Sequence, residues 1–204
     1  SVSDWEAGNS SAAPSLYFGD FDGNVYRLNA DTGAQIWKIR VDDHKDILLT
    51  GSPKLHDGKL YVPLSSNEWA SAADPSYECC TFRGGVAALD AETGEEIWKS
   101  RSITDKLKLT GKVNDAGAPT WHPAGAPVWN SPTIDAKRGR LYVGTGEAYT
   151  SPAASTSDAI LAFNLETGAM EWAYQGLAGD AWNMACTIKD KTNCPPENGP
   201  DLDF

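Results

Sequence analysis

Basic residues, histidine and methionine are scarce in this 204-residue sequence: 17 Lys and Arg stand against 28 Asp and Glu, with three His and two Met, for a formal net charge of -11. A phosphate backbone is held by clustered Lys and Arg, and no such cluster occurs, which argues against nucleic-acid binding. The acidity suits a basic protein partner or a cation instead. No apolar run approaches the roughly 18 residues of a helical membrane span. The start, Ser1-Val2-Ser3-Asp4, lacks a charged-then-apolar signal pattern, so the expectation is a signal already removed or a chain that begins inside a longer protein. His44, His56 and His122 show no metal-ligand spacing and no partner nucleophile, and are expected at the surface. Only four cysteines occur, Cys79, Cys80, Cys186 and Cys194. Their spacing reads better as two short-range disulfides than as zinc ligands, with four reduced cysteines as the alternative. Disulfides would imply a periplasmic or secreted location.

What is present is a repeat. Asp31-Thr32-Gly33, Glu92-Thr93-Gly94 and Glu166-Thr167-Gly168 each follow an apolar strand-like run and precede a tryptophan, at Trp37, Trp98 and Trp172. Each unit reads as strand, tight turn, strand, with glycine where positive φ is needed and a tryptophan packed between neighbouring units. Upstream lies a second recurring element, Leu16-Tyr17-Phe18, Leu60-Tyr61-Val62 and Leu141-Tyr142-Val143, two of them after Ser52-Pro53 and Ser131-Pro132. Two hairpins closed by a tryptophan make a four-stranded propeller blade. The expected fold is therefore all-β: about three four-stranded antiparallel blades, over roughly 13–50, 51–110 and 128–180, with 181–204 leading towards a further blade. Three blades do not close a ring, so the chain is expected to be part of a longer propeller. The repeats are 61 and 74 residues apart, more than the ~45 of a bare blade, and the excess is assigned to loops at 65–83, 101–130 and 147–158. Long loops on a rigid scaffold are where function is usually found.

The Asp/Glu-Thr-Gly-x-x-x-Trp repeat resembles the tryptophan-docking motif of quinoproteins. Further motifs make the chain similar to polyvinyl alcohol dehydrogenases: Tyr17-Phe-Gly-Asp-Phe-Asp-Gly-Asn24, Val41-Asp-Asp-His44, Tyr77-Glu-Cys-Cys-Thr-Phe-Arg-Gly84, Val143-Gly-Thr-Gly146 and Gly179-Asp-Ala-Trp-Asn183. The resemblance implies an eight-bladed periplasmic enzyme that holds pyrroloquinoline quinone (PQQ) and calcium on the propeller axis, oxidises an alcohol and passes electrons to a cytochrome c. Carried over residue by residue, it puts the hydroxyls of Thr50, in Thr50-Gly-Ser-Pro53, and of Ser65, in Ser65-Ser-Asn-Glu68, on the quinone. It puts Trp129 under the quinone ring, where a flat aromatic face suits a flat cofactor. Glu68 and Glu147 become metal ligands, since a hard cation seeks oxygen. The alternatives are ordinary strand-end residues, a solvated loop charge and a core tryptophan.

Two departures stand out. Relatives end an Asp-x-Trp-Asp motif in the carboxylate that takes the alcohol proton, whereas here the motif is Asp180-Ala-Trp-Asn183. An amide is no general base at neutral pH, so Asp180 takes that role only if its loop aims it inward; otherwise it caps the turn. The vicinal pair Cys79-Cys80 matches by composition the cysteine ring that relatives place over the quinone, but lies about one blade later. Cys79, Cys80 and Arg83 are thus candidate cofactor contacts, against a rigid loop disulfide and a surface ion-pair partner. Trp121-His-Pro123, in the long insertion, is a candidate for the substrate entrance. A second function class is a cofactor-free propeller used as a protein-binding scaffold, which Asn183 favours.

Overall fold

The computed structural model describes residues 14–203, so the N-terminal start and the expected blade edge at residue 13 lie outside the described residues. Three antiparallel sheets succeed one another along the chain. The first is β1 (Ser15–Gly19), β2 (Asn24–Asn29) and β3 (Gln35–Arg40), in that order. The second comprises β4 (Ile47–Leu48), β5 (Lys54–His56), β6 (Lys59–Ser66), β7 (Gly85–Asp90) and β8 (Glu96–Arg101). Here β6 pairs with β4 and β5 at successive points, and β7 and β8 follow. The third is β11 (Thr133–Asp135), β12 (Arg140–Gly144), β13 (Ala159–Asn164) and β14 (Met170–Gln175), again in chain order. Between the second and third sheets an extra hairpin, β9 (Lys108–Val113) and β10 (Pro119–His122), occupies part of the segment expected to be loop. A four-residue helix, α1 (Glu68–Ser71), and a 3-10 turn at Met184–Cys186 complete the structure.

The repeated turns form for one local reason each time. Asn29, Asp90 and Asn164 accept, through Oδ1, the backbone N–H groups two and three residues on. These side chains replace ladder bonds that the chain gives up in reversing. The glycine that closes the turn then donates to the carbonyl of that same Asn or Asp. Gly94 and Gly168 have φ of +80° and +69°, and a Cβ on either would meet the preceding sheet's tryptophan, at 3.1 Å from Trp37 and 2.6 Å from Trp98. Glycine is needed here both for backbone conformation and for close approach.

Packing between sheets repeats as faithfully. Tyr17 Oη and Trp37 Nε1 both donate to the Ala91 carbonyl, at 3.1 and 3.4 Å. One sheet later Tyr61 Oη and Trp98 Nε1 both donate to the Leu165 carbonyl, at 3.2 Å each. The tyrosine of the Leu-Tyr element and the docking tryptophan are thus one device, spending two polar tips on one buried carbonyl while their rings fill the interface. One buried cluster joins Tyr17 and Val25 to Leu60, Val62 and Leu89; a second joins Tyr61 and Val86 to Leu141, Leu161 and Phe163. Trp172, in the last sheet, is 40% exposed. No described helix is long and apolar enough to cross a membrane.

Candidate functional site

The connections after β6 and β12, and those that precede β5 and β11, gather at one end of the sheets. Val128 N–H donates to the Leu64 carbonyl at 2.9 Å, which brings the segment before β11 against the end of β6. Thr50 Oγ1 donates to the Trp129 carbonyl at 3.1 Å, and Ser52 N–H to Ser131 Oγ at 2.9 Å. Ala126 N–H donates to the Glu147 carbonyl at 2.8 Å. Residues far apart in sequence are thereby stitched together by backbone and side-chain hydrogen bonds. The result is a cavity of about 340 Å³ whose wall includes Thr50, Ser65, Trp129 and Glu147, together with Trp69, Tyr149 and Trp182. Trp129 is 45% exposed, with much of its surface left uncovered by protein. Trp69 and Trp182 stack, their centroids 6.1 Å apart. That volume and this mix of aromatic faces with a few polar groups are what a small planar ligand requires.

One wall is strongly acidic. Carboxylate oxygens of Glu147, Asp201 and Asp203 lie within 4.8 Å of one another. Burial and the Asp203 carboxylate push the Glu147 carboxyl well above its ordinary range, and burial raises Asp203. Close behind, burial and the charge of Asp180 raise Asp158 to about 7. Both oxygens of Asp158, and Oδ1 of Asp180, are buried without a hydrogen-bond partner. Carboxylates gathered in this way repel one another and suit a hard divalent cation, which would return them to the charged form.

Four of the expected site residues, Thr50, Ser65, Trp129 and Glu147, therefore meet at one cavity. Glu68 does not join them. It is fully buried at the start of α1, where Oε1 accepts from Tyr77 Oη, Thr81 N–H and Thr81 Oγ1, and Oε2 from Phe82 N–H. Full burial corrects the alternative of a solvated Glu68. Its oxygens hold the loop that follows the cysteine pair, and with His44 and Asp46 it forms a second group, apart from Glu147, whose ligand atoms lie within 4.8 Å of one another and could hold a metal ion. His44 is corrected likewise from surface residue to partly buried network member, its Nε2 2.9 Å from Thr81 Oγ1 and its ring edge-on to Phe82. Cys79 and Cys80 form a disulfide, as do Cys186 and Cys194. The Cys79–Cys80 disulfide is buried away from the first cavity, and Cys79 borders a separate one beside β10. Arg83 donates to the Asp105 carbonyl and lines the outer side of β8, not the first cavity.

At the position expected for the base, Asn183 caps the 3-10 turn. Its Oδ1 accepts from Ala185 N–H, and its Nδ2 donates to the Tyr149 and Asn193 carbonyls. Asp180 keeps one oxygen for the Leu202 N–H and one free. Sequence reasoning passed over Trp69, Tyr149, Asp158, Asp201 and Asp203. Trp69 directly follows Glu68 and Tyr149 follows the Gly-Thr-Gly-Glu run, so both sat beside recognised motifs. The aspartates stand in turn-like stretches that carry no periodic signal.

Comparison with known proteins shows the family and the fold. The chain is 43% identical over 193 residues to a polyvinylalcohol dehydrogenase of Sphingopyxis sp. (strain 113P3), covering 94% of this chain and 29% of that protein. It is 41% identical over 187 residues to a polyvinylalcohol dehydrogenase of Pseudomonas sp., covering 92% of this chain and again 29% of the relative. The chain thus spans under a third of the length of these relatives. The solved structure of the quinohemoprotein alcohol dehydrogenase ADHIIG from Pseudomonas putida HK5 superposes with a TM-score of 0.63 at 25% identity, over 83% of this chain and 26% of that one. The three sheets are accordingly part of a quinoprotein-type β-propeller. Residues 69–189 match the family described as "PQQ: Glucose/ethanol/alcohol dehydrogenase, beta-propeller domain", and the chain belongs to that family.

Proposed function

We propose that this chain is part of a PQQ- and calcium-dependent dehydrogenase that oxidises a primary or secondary alcohol, polymeric ones included, and passes the electrons to a cytochrome c. The observation that carries the reading is the convergence of Thr50, Ser65, Trp129 and Glu147 on one cavity from four separate places in the chain. When bound, PQQ supplies a two-electron acceptor and calcium a Lewis acid beside it. Thr50 and Ser65 would hold the cofactor through their hydroxyls, and the exposed face of Trp129 would support it and exclude water. Glu147, with Asp201 and Asp203 beside it, holds the cation. Of the two residues at the base position only Asp180 is a carboxylate; its Oδ1 is buried without a partner and off the cavity wall, so it would take the alcohol proton once its loop turns it inward. Asn183 fixes the segment that carries Asp180 by capping the 3-10 turn.

That two relatives are polyvinylalcohol dehydrogenases supports the substrate class. Two disulfides support a periplasmic or secreted location, and the net charge of -11 suits a basic electron acceptor. The test is turnover. The full-length protein, loaded with PQQ and calcium, should reduce cytochrome c only when an alcohol is present, and Asp180→Asn should lower kcat by at least about a hundredfold. The amide spent at Asn183 favours a second reading, a cofactor-free scaffold. Absence of alcohol-dependent reduction, with Asp180→Asn indistinguishable from wild type, would leave that reading standing.

A further inference from the structure

A second cavity, of about 440 Å³, lies between the β9–β10 hairpin, the Thr150-Ser151-Pro152 turn and the loop closed by Cys186–Cys194. Its walls are fixed before any ligand arrives. Trp121 N–H donates to the Cys79 carbonyl at 2.9 Å, and Trp121 Nε1 donates to Glu78. The hairpin tip is tied to the opposite wall through Asp115 N–H on Thr192 Oγ1 and Asn114 Nδ2 on Asn193 Oδ1. A preformed site loses little on binding to ordering its own side chains.

The chemistry of the walls selects the ligand. No carboxylate borders this cavity and Lys112 is the one side chain of fixed charge, which disfavours cations and gives an anion little to pair with. Thr150 Oγ1 and Thr192 Oγ1 each accept a backbone N–H, which leaves their own protons available to donate. Ser151 Oγ is buried and has no hydrogen-bond partner at all. Beside these hydroxyls lie Trp121, Pro152 and Pro195, apolar surfaces suited to a hydrocarbon backbone. Alternating hydroxyl and methylene groups match both kinds of wall.

Tyr149, fully buried, belongs to the walls of this cavity and of the Trp129 cavity alike. We propose that the cavity beside β10 is a subsite for a polymeric alcohol, binding units of the chain remote from the one presented at the Trp129 cavity. The inference rests on the dehydrogenase reading for that first cavity. A long chain engaged at one cavity is held at high local concentration near the other, an advantage a small alcohol cannot gain.

The test uses the full-length protein, loaded with PQQ and calcium, and compares a polyvinyl alcohol of fixed length with 2-butanol. Ser151→Ala should raise KM for the polymer by about fivefold and Trp121→Ala by about tenfold, the scale of one hydrogen bond and one aromatic contact. Both should leave kcat, and both constants for 2-butanol, within about twofold; Trp121→Phe, which keeps an aromatic face, should recover most of the polymer KM. Titration calorimetry of the polymer into the cofactor-free protein should show the same ranking of affinities. Unchanged polymer KM and affinity in the Ser151 and Trp121 variants would overturn the subsite, as would a parallel rise in KM for 2-butanol. Oxidation of 2-butanol without binding or oxidation of the polymer would overturn it while the dehydrogenase reading stands. Polymer binding that depends on Ser151 and Trp121, with neither alcohol oxidised, would uphold the binding site and overturn the dehydrogenase.

Discussion

Replacing Glu68 with alanine removes a fully buried carboxylate that accepts four hydrogen bonds, two of them from the backbone N–H groups of Thr81 and Phe82 at 2.8 and 2.7 Å. Those donors follow the Cys79–Cys80 disulfide, and both bond to Glu68. Hydrogen bonds to a charged group are worth about 1.5–3 kcal/mol each, and an orphaned buried donor costs about 1–3 kcal/mol. Glu68→Ala should therefore destabilise the fold by about 3–5 kcal/mol. Glu68→Gln keeps the volume and one carbonyl oxygen but turns an NH₂ towards a second donor, for a cost of about 1–3 kcal/mol. Urea unfolding followed by tryptophan emission measures both, and hydrogen exchange should speed up at Thr81 and Phe82 before it does in β6 or β7. Calcium affinity should fall less in Glu68→Gln than in Glu147→Gln, because only Glu147 borders the acidic cavity. A loss under about 1 kcal/mol for Glu68→Ala, with Thr81 and Phe82 amides as protected as before, would refute the assignment of Glu68 to the loop.

Asp158 has its folded pKa raised to about 7 from 3.8, so the folded state holds the proton more tightly than the unfolded chain. Its contribution to stability is full below pH 3.8 and is lost as pH rises through 7. In metal-free protein, Asp158→Asn should flatten that slope and raise stability at pH 8 by about 1–3 kcal/mol, read as a shift in the urea midpoint. Gly168→Ala should cost about 2–4 kcal/mol, because it places a methyl 2.6 Å from Trp98 at a φ of +69°; an equilibrium unfolding curve like that of wild type would count against the docking argument. Serine at both Cys186 and Cys194 opens a loop of eight-residue separation and should cost about 2–3 kcal/mol by denaturant unfolding.

The fold was legible where the sequence repeats. The Asp/Glu-Thr-Gly turn and the tryptophan after it identify β2, β3, β7, β8, β13 and β14, because a turn that needs positive φ beside a docking ring permits few residues. Thr50, Ser65, Trp129 and Glu147 were legible through resemblance, since strand ends hold fixed places on a propeller. The β9–β10 hairpin was not, as its six exposed β9 residues leave no apolar alternation to read. Glu68 lies off the Trp129 cavity, grouped with His44 and Asp46, which the sequence alone does not reveal. A carboxylate at a strand end looks the same in sequence whether it faces a cavity or a backbone loop, and only the positions of the Thr81 and Phe82 N–H groups decide between them. Asn183 shows the converse, an amide read as a missing base that the structure employs as a cap.

The central claim is that the Trp129 cavity holds PQQ. Trp69, Trp129 and Trp182 line it, three of the eight tryptophans, so PQQ titrated into the full-length protein with calcium should quench part of the tryptophan emission and saturate at one equivalent. Trp129→Phe should weaken binding by about tenfold and reduce the quenched fraction. The claim is contradicted if emission is unchanged by PQQ and calcium together, or if Trp129→Phe titrates as wild type does.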